Sequence, residues 1–258
     1  MLTSMKCLLA GAIASVGIAT LSVSQASAAA LSSAADLSVK ATLTADNHYG
    51  LFHGDKNGSV LNFVGRNEKG PNGSTGGYNW SHAESWDFKM SKQEYLYVVV
   101  WDDQSVDESW VGQFNLGGGD KGYELLSKPD AWEYVITQKA ANPGDFGNTP
   151  SNSELNWEIQ NANWLSSKSR GLNDGTTAPW GQISEVTKTA EFLNTTTNGT
   201  GRKADNSLYT IFRTKGSVAD TIGIKSVPEP ASMLGLLAVG TLGAASLRKR
   251  KSRLNKVS

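Results

Sequence analysis

Cysteine is nearly absent: the 258 residues include one, Cys7. It falls in an N-terminal stretch that reads as removable, so the remaining chain would carry none, which excludes disulfides and cysteine-ligated zinc. Cys7 opens the apolar run that follows it and does not close it, so it is not placed for lipoprotein acylation. Histidine is scarce as well. His48, His53 and His82 form no His-x-x-x-His pair. An odd separation puts His48 and His53 on opposite sides of any strand that holds both, so all three read as surface or turn histidines and not as metal ligands. No Gly-x-Ser-x-Gly elbow, zinc-protease helix motif or phosphate-cradling loop is present, and the chain is expected not to be an enzyme. Carboxylate pairs of the glycosidase type are defined by distance in space and not by spacing in sequence. A secreted carbohydrate-active enzyme on a β-sandwich scaffold therefore stands as the alternative. No fixed-period repeat occurs, which argues against solenoids and propellers.

Two segments at the ends account for much of the apolar content. Residues 1–28 carry one basic residue, Lys6, then an uncharged, mostly apolar stretch from Cys7 to Val23, then Ala26-Ser27-Ala28. That order is the layout of an export signal cut by signal peptidase. At the other end, 17 residues from Ala231 to Leu247 carry no charge, and Arg248, Lys249, Arg250 and Lys251 follow them. A run of that length is at the lower limit of a membrane-spanning helix, and the basic cluster stops it on the cytoplasmic side, which places the rest of the chain outside. What lies between, residues 29–225, is long enough for one domain with a real core. It holds 17 Lys and Arg against 23 Asp and Glu, a net charge of −6 hidden by the basic tail. An acidic exported domain is poorly suited to bind nucleic acid.

Within residues 29–225 the ruling pattern is alternation. Leu37, Val39, Ala41 and Leu43 interleave with Ser38, Lys40, Thr42 and Thr44, as in a strand with one buried face. Further short strands are expected at Tyr49–His53, Ser59–Val64, Ser85–Lys89, Tyr95–Trp101, Trp110–Asn115, Trp132–Gln138, Asn156–Gln160 and Leu208–Lys215. No comparable helix is expected. YLYVVVW, Tyr95–Trp101, is apolar throughout and predicts a central strand covered on both faces. The Gly- and Asn-rich stretches Glu68–Asn79, Asn115–Gly122 and Asn194–Asn206 predict long loops.

The run TADNHYGLFHGDKNGS (Thr44–Ser59), then NWSHAESWDFKM (Asn79–Met90), then YLYVVVWDD (Tyr95–Asp103) resembles the opening hairpins of galactose-binding-like jelly-roll modules. The resemblance implies an all-β fold, a two-sheet antiparallel β-sandwich whose loop ends bind sugars or other ligands, sometimes with a structural calcium. Asp46 and Asn47 match the turn of that pattern, while its Asn-Gly pair is displaced to Asn57-Gly58. These residues make turn and core, so they speak to fold more than to function.

Two sets of residues are candidates for binding. Asp102, Asp103, Asp107 and Glu108 crowd into one loop after the apolar strand. They read either as a solvated acidic turn or as a calcium site, although the register is not that of the twelve-residue calcium loop. No other cofactor is expected. Of eight tryptophans, Trp101 and Trp132 lie in apolar strands and are expected in the core. Trp80, Trp164 and Trp180 sit beside Asn, Ser, Pro and Gly, where an exposed indole can stack on a sugar ring.

The tail carries the sharpest motif. Val227-Pro228-Glu229-Pro230 precedes the uncharged run and its basic end, a three-part order that resembles the PEP-CTERM sorting signal of exported bacterial proteins. It differs from a GPI signal, which lacks a terminal basic block. Pro228, Glu229 and Pro230 are then the sorting motif, and Arg248 to Lys251 the stop. The resemblance implies recognition by a membrane-embedded exosortase, cleavage near the motif, and transfer to the cell surface or an extracellular polysaccharide matrix. The expected protein is thus a non-catalytic surface or matrix component with signal peptidase and exosortase as processing partners and extracellular polysaccharide as a candidate ligand.

Overall fold

Val39, Ala41, Leu43 and Ala45 are alternate residues of β1 (Asp36–Asp46), and all four are buried in a core shared by two antiparallel sheets. The computed structural model describes residues 36–67, 80–102, 109–117, 122–144, 147–196 and 207–223. The export signal at 1–28, the uncharged run at 231–247 and most of the three long loops lie outside the described residues. Among the described residues no helix is long and apolar enough to cross a membrane.

The remaining strands are β2 (His48–Gly54), β3 (Leu61–Arg66), β4 (Glu84–Ser91), β5 (Tyr95–Trp101), β6 (Ser109–Leu116), β7 (Tyr123–Leu126), β8 (Trp132–Ala141), β9 (Leu165–Ser166), β10 (Lys168–Leu172), β11 (Glu191–Asn194) and β12 (Leu208–Thr214). Helix α1 (Asn152–Gln160) follows β8, and the short α2 (Val218–Thr221) follows β12. The first sheet runs β10-β11-β6-β1-β4, with β7 also paired to β6. The second runs β3-β2-β5-β12-β8-β9. The chain is an antiparallel all-β sandwich.

β5 is the central strand its composition demands. Leu96, Val98 and Val100 point into the core between the sheets, while Tyr97, Val99 and Trp101 belong to a second apolar cluster on the outer side. Period-two geometry divides one unbroken apolar run between two cores. Trp110 and Trp132 meet edge to face in the central core with ring centroids 4.8 Å apart, a contact that contributes about 1 kcal/mol beyond burial. Trp101 and Trp132 are fully buried, as their strands predict.

Both sheets are also covered from outside. Leu155 and Ile159 of α1 pack on Phe52, Tyr97, Val99 and Ile211 of the second sheet. On the first sheet, Trp180, Ile183, Val186 and Ala190 pack over Val111 and Phe192. That covering segment has almost no regular structure, and one buried side chain ties its backbone together. Asn173, fully buried, donates from Nδ2 to the carbonyls of Ile183 and Val186 at 2.9 and 2.8 Å and accepts the Ile183 N–H at 2.7 Å. A buried loop must satisfy its own backbone groups, and one amide side chain here makes three hydrogen bonds that a strand partner would otherwise supply.

The expected strand at Asn156–Gln160 is overturned, since this stretch is the second half of α1. Strands β7, β9, β10 and β11 were not expected. They are short, β9 is exposed and β10 is at most half-buried, so they carry little alternation.

Candidate functional site

Helix α1 begins where Ser151 and Glu154 cap one another. Ser151 Oγ accepts the Glu154 N–H at 3.3 Å and the Glu154 carboxylate accepts the Ser151 N–H at 2.8 Å, the reciprocal arrangement of a capping box. The Ser151 hydrogen bonds hold the Glu154 carboxyl below its ordinary range. One turn later the buried carboxylate of Glu158 takes three backbone N–H groups, those of Gln138 (2.7 Å), Lys139 (2.8 Å) and Ala140 (3.0 Å). These bonds fasten the helix to the end of β8.

With Leu155 and Ile159 turned to the sheet, another face of α1 carries Asn152, Asn156 and Gln160, spaced four residues apart and so in one row. This row forms one wall of an open groove of about 610 Å3 whose other wall is the turn from Gly58 to Leu61. The turn is set by Asp55, whose side chain accepts the Val60 N–H at 3.1 Å and whose own N–H reaches the Val60 carbonyl at 3.1 Å. Gly58 has φ of +68°, and a Cβ there would stand 2.8 Å from Ile159 Cδ1, so glycine alone lets turn and helix approach this closely. Asn152 Nδ2 donates to the Leu61 carbonyl at 3.0 Å and joins the two walls. The side chains of Asn156 and Gln160 make no hydrogen bond within the described residues. None of the residues lining the groove is ionisable.

The three histidines occupy three separate settings. His48 is not a surface residue: it is 1% exposed and stacks on Trp101 at a centroid distance of 5.3 Å. His53 lies on the opposite face of β2, stacked on Phe88 and paired with Glu94 at 3.0 Å. His82 is exposed and pairs with Glu185 at 3.1 Å. Among the described residues no group of three or more His, Cys, Asp or Glu side chains could hold a metal ion.

Of the acidic cluster, Asp102 is buried and accepts a hydrogen bond from Asn142 Nδ2 at 2.7 Å. Asp103, Asp107 and Glu108 lie outside the described residues.

The tryptophans expected to offer an open face are engaged with protein. Trp180 is 5% exposed, stacks on Phe192 with centroids 5.0 Å apart, carries the Arg170 guanidinium 4.8 Å from its ring and donates to Asp46 Oδ2 at 2.8 Å. An indole so enclosed offers no face to a sugar, which corrects the expectation for this residue. Trp164 is half-buried with the Arg213 guanidinium 3.8 Å from its ring centroid, and Arg213 is held in turn by Glu133 at 2.7 Å. Trp80 is half-buried against the cluster around Trp180, and its carbonyl accepts from Thr44 Oγ1 at 3.1 Å. The row on α1 went unread in the sequence, although Ser151-Asn152-Ser153-Glu154 spells a capping box and the amides follow at helical spacing.

Pro228, Glu229, Pro230 and the basic cluster Arg248 to Lys251 lie outside the described residues. Residues 226–251 match the family model of the PEP-CTERM protein-sorting motif. The chain thus carries the sorting signal that its tail resembles. The motif implies export, membrane-associated sorting to the cell surface and recognition by an exosortase-type enzyme. No curated protein and no solved structure matches the chain.

Proposed function

We propose that residues 29–225 act as a non-catalytic component of the cell surface or extracellular matrix, freed from a signal peptide at one end and an exosortase-sorted tail at the other, and that they bind polysaccharide there. The observation that carries this reading is the position of the motif. β12 ends at Thr214 and α2 at Thr221, and the matched motif begins at residue 226. A cut near Pro228 to Pro230 therefore leaves every described strand and helix on the released side, with the uncharged run and its basic stop on the other.

The non-catalytic part is supported by how three of the buried and half-buried carboxylates are used. Glu158 is bound by backbone N–H groups, Glu94 by His53 and the Ser91 N–H, and Glu133 by Arg213. Carboxylates fixed in this way are poorly placed to exchange protons with a substrate. The galactose-binding-like jelly-roll character of the sandwich is proposed on Thr44–Ser59, Asn79–Met90 and Tyr95–Asp103, segments that contain β2, all but the last residue of β4, and β5.

The test is mass spectrometry of the mature protein recovered from the surface of the secreting cell. Loss of Arg248 to Ser258 is expected, and an intact C-terminus there overturns the processing step. Incubation with soluble polysaccharides should release no reducing sugar, and release abolished by a single carboxylate substitution would establish the enzyme alternative instead.

A further inference from the structure

We infer that the groove between α1 and the turn Gly58–Leu61 is the carbohydrate site, and that it takes a neutral glycan. This rests on the polysaccharide-binding reading above and adds a place and a ligand class to it. The groove has the composition such a ligand requires. Asn152, Asn156 and Gln160 span about 12 Å along one helix face at 1.5 Å per residue. A side-chain amide presents both donors and an acceptor, so it can satisfy a hydroxyl whichever way the hydroxyl points. Asn156 and Gln160 have those groups unused within the described residues. Facing them, Val60 is 57% exposed, an apolar surface for the C–H face of a sugar ring. The walls are already set by the Asn152 to Leu61 bond and the capping box, so little ordering is required on binding.

Charge separates this groove from other hollows on the sandwich, one lined by Asp130, Lys215 and Asp220 and one by Lys139, Glu154 and Glu158, and from the open hollow that offers a charged polymer a comparable face. This last hollow lies on the first sheet, and its lining includes Lys40, Asp87 and Lys89, ionisable groups suited to a charged polymer. With no ionisable side chain in its lining, the α1 groove gains nothing from an anionic ligand, and its binding should be insensitive to salt.

Affinity electrophoresis of the purified chain through gels containing dextran, a soluble β-glucan or alginate tests this. A neutral glucan is expected to retard the protein equally at low and high salt. Asn156→Ala with Gln160→Ala should weaken that retardation by about tenfold or more, with an unchanged melting temperature because neither side chain bonds the fold. Val60→Lys should weaken it too. Retardation by glucan that the variants leave untouched overturns the site while the polysaccharide reading stands. Retardation by alginate alone, lost in salt and on Lys40→Ala with Lys89→Ala, also overturns the site and moves binding to the first sheet. No retardation by any polymer overturns both.

Discussion

Trp86 Nε1 donates to Tyr49 Oη at 2.7 Å, a bond that runs from β4 of the first sheet to β2 of the second. Tyr49 Oη donates onward to Glu84 at 3.2 Å, and burial, followed by the nearby Glu84 charge, pushes the phenol pKa well above its ordinary value. The indole also lies over Gly65 of β3, where a Cβ would stand 2.5 Å from the ring. Two variants separate these roles. Trp86→Phe keeps most of the packing and removes the donor, so it should lower stability by about 1 kcal/mol. Gly65→Ala forces the ring to move and should lower it by about 1–3 kcal/mol. Urea unfolding of both and of the double variant is the measurement, and a non-additive double variant is expected because the two changes act on one ring.

Glu158 offers a second handle. Replacing it with Ala strands the N–H groups of Gln138, Lys139 and Ala140 at the end of β8 and should lower stability by about 3 kcal/mol. Hydrogen exchange should show the loss concentrated at those three amides and in α1. A loss spread evenly over the sandwich would mean that the carboxylate does not fasten the helix.

The third expectation concerns acid. Burial pushes the Glu94 carboxyl up, but the hydrogen bonds from His53 and from the Ser91 N–H, with the attraction of the imidazole, outweigh it and hold the pKa below the ordinary value of 4.5. Glu185, bonded to His82, is shifted the same way. A carboxyl lowered on folding contributes stability that is complete above its unfolded pKa and is lost as pH falls through the folded one. The urea midpoint should therefore drop as pH is taken below about 4.5, and Glu94→Gln should show a shallower drop. Equal drops in the two proteins would rule Glu94 out as a source of the acid sensitivity.

Much of the sandwich could be read in advance because its strands state their own burial. Tyr95–Trp101 is apolar at every position and lies central with both faces covered; Val39, Ala41 and Leu43 alternate and face the core. Where long-range contacts decide, local pattern fails. Asn156–Gln160 resembles a short strand by composition, yet the cap formed by Ser151 and Glu154 just upstream and the Glu158 contacts with β8 make it a helix. Trp180 sits among Pro and Gly like a loop residue, and contacts distant in sequence fold its segment down over Val111: the Asn173 bonds to residues ten and thirteen along the chain, the Trp180 bond to Asp46 and the Gln113 bond to the Thr187 N–H. An indole beside Asn, Pro or Gly reads as an open binding face, but the faces of Trp180 and Trp164 are shared with Phe192 and with the guanidinium groups of Arg170 and Arg213.

Helix α2 is pinned from the side. Val218 and Ala219 donate their N–H groups to the carbonyls of Glu94 and Lys92 in the turn between β4 and β5, at 2.8 and 2.9 Å. A pull on the chain beyond Gly223 would enter the sandwich through this helix. The load meets a clasp on a neighbouring hairpin before it reaches β12, a strand bonded on both sides to β5 and β8. α2 is a single turn, and two backbone hydrogen bonds would have to part before such a pull reached the sheets.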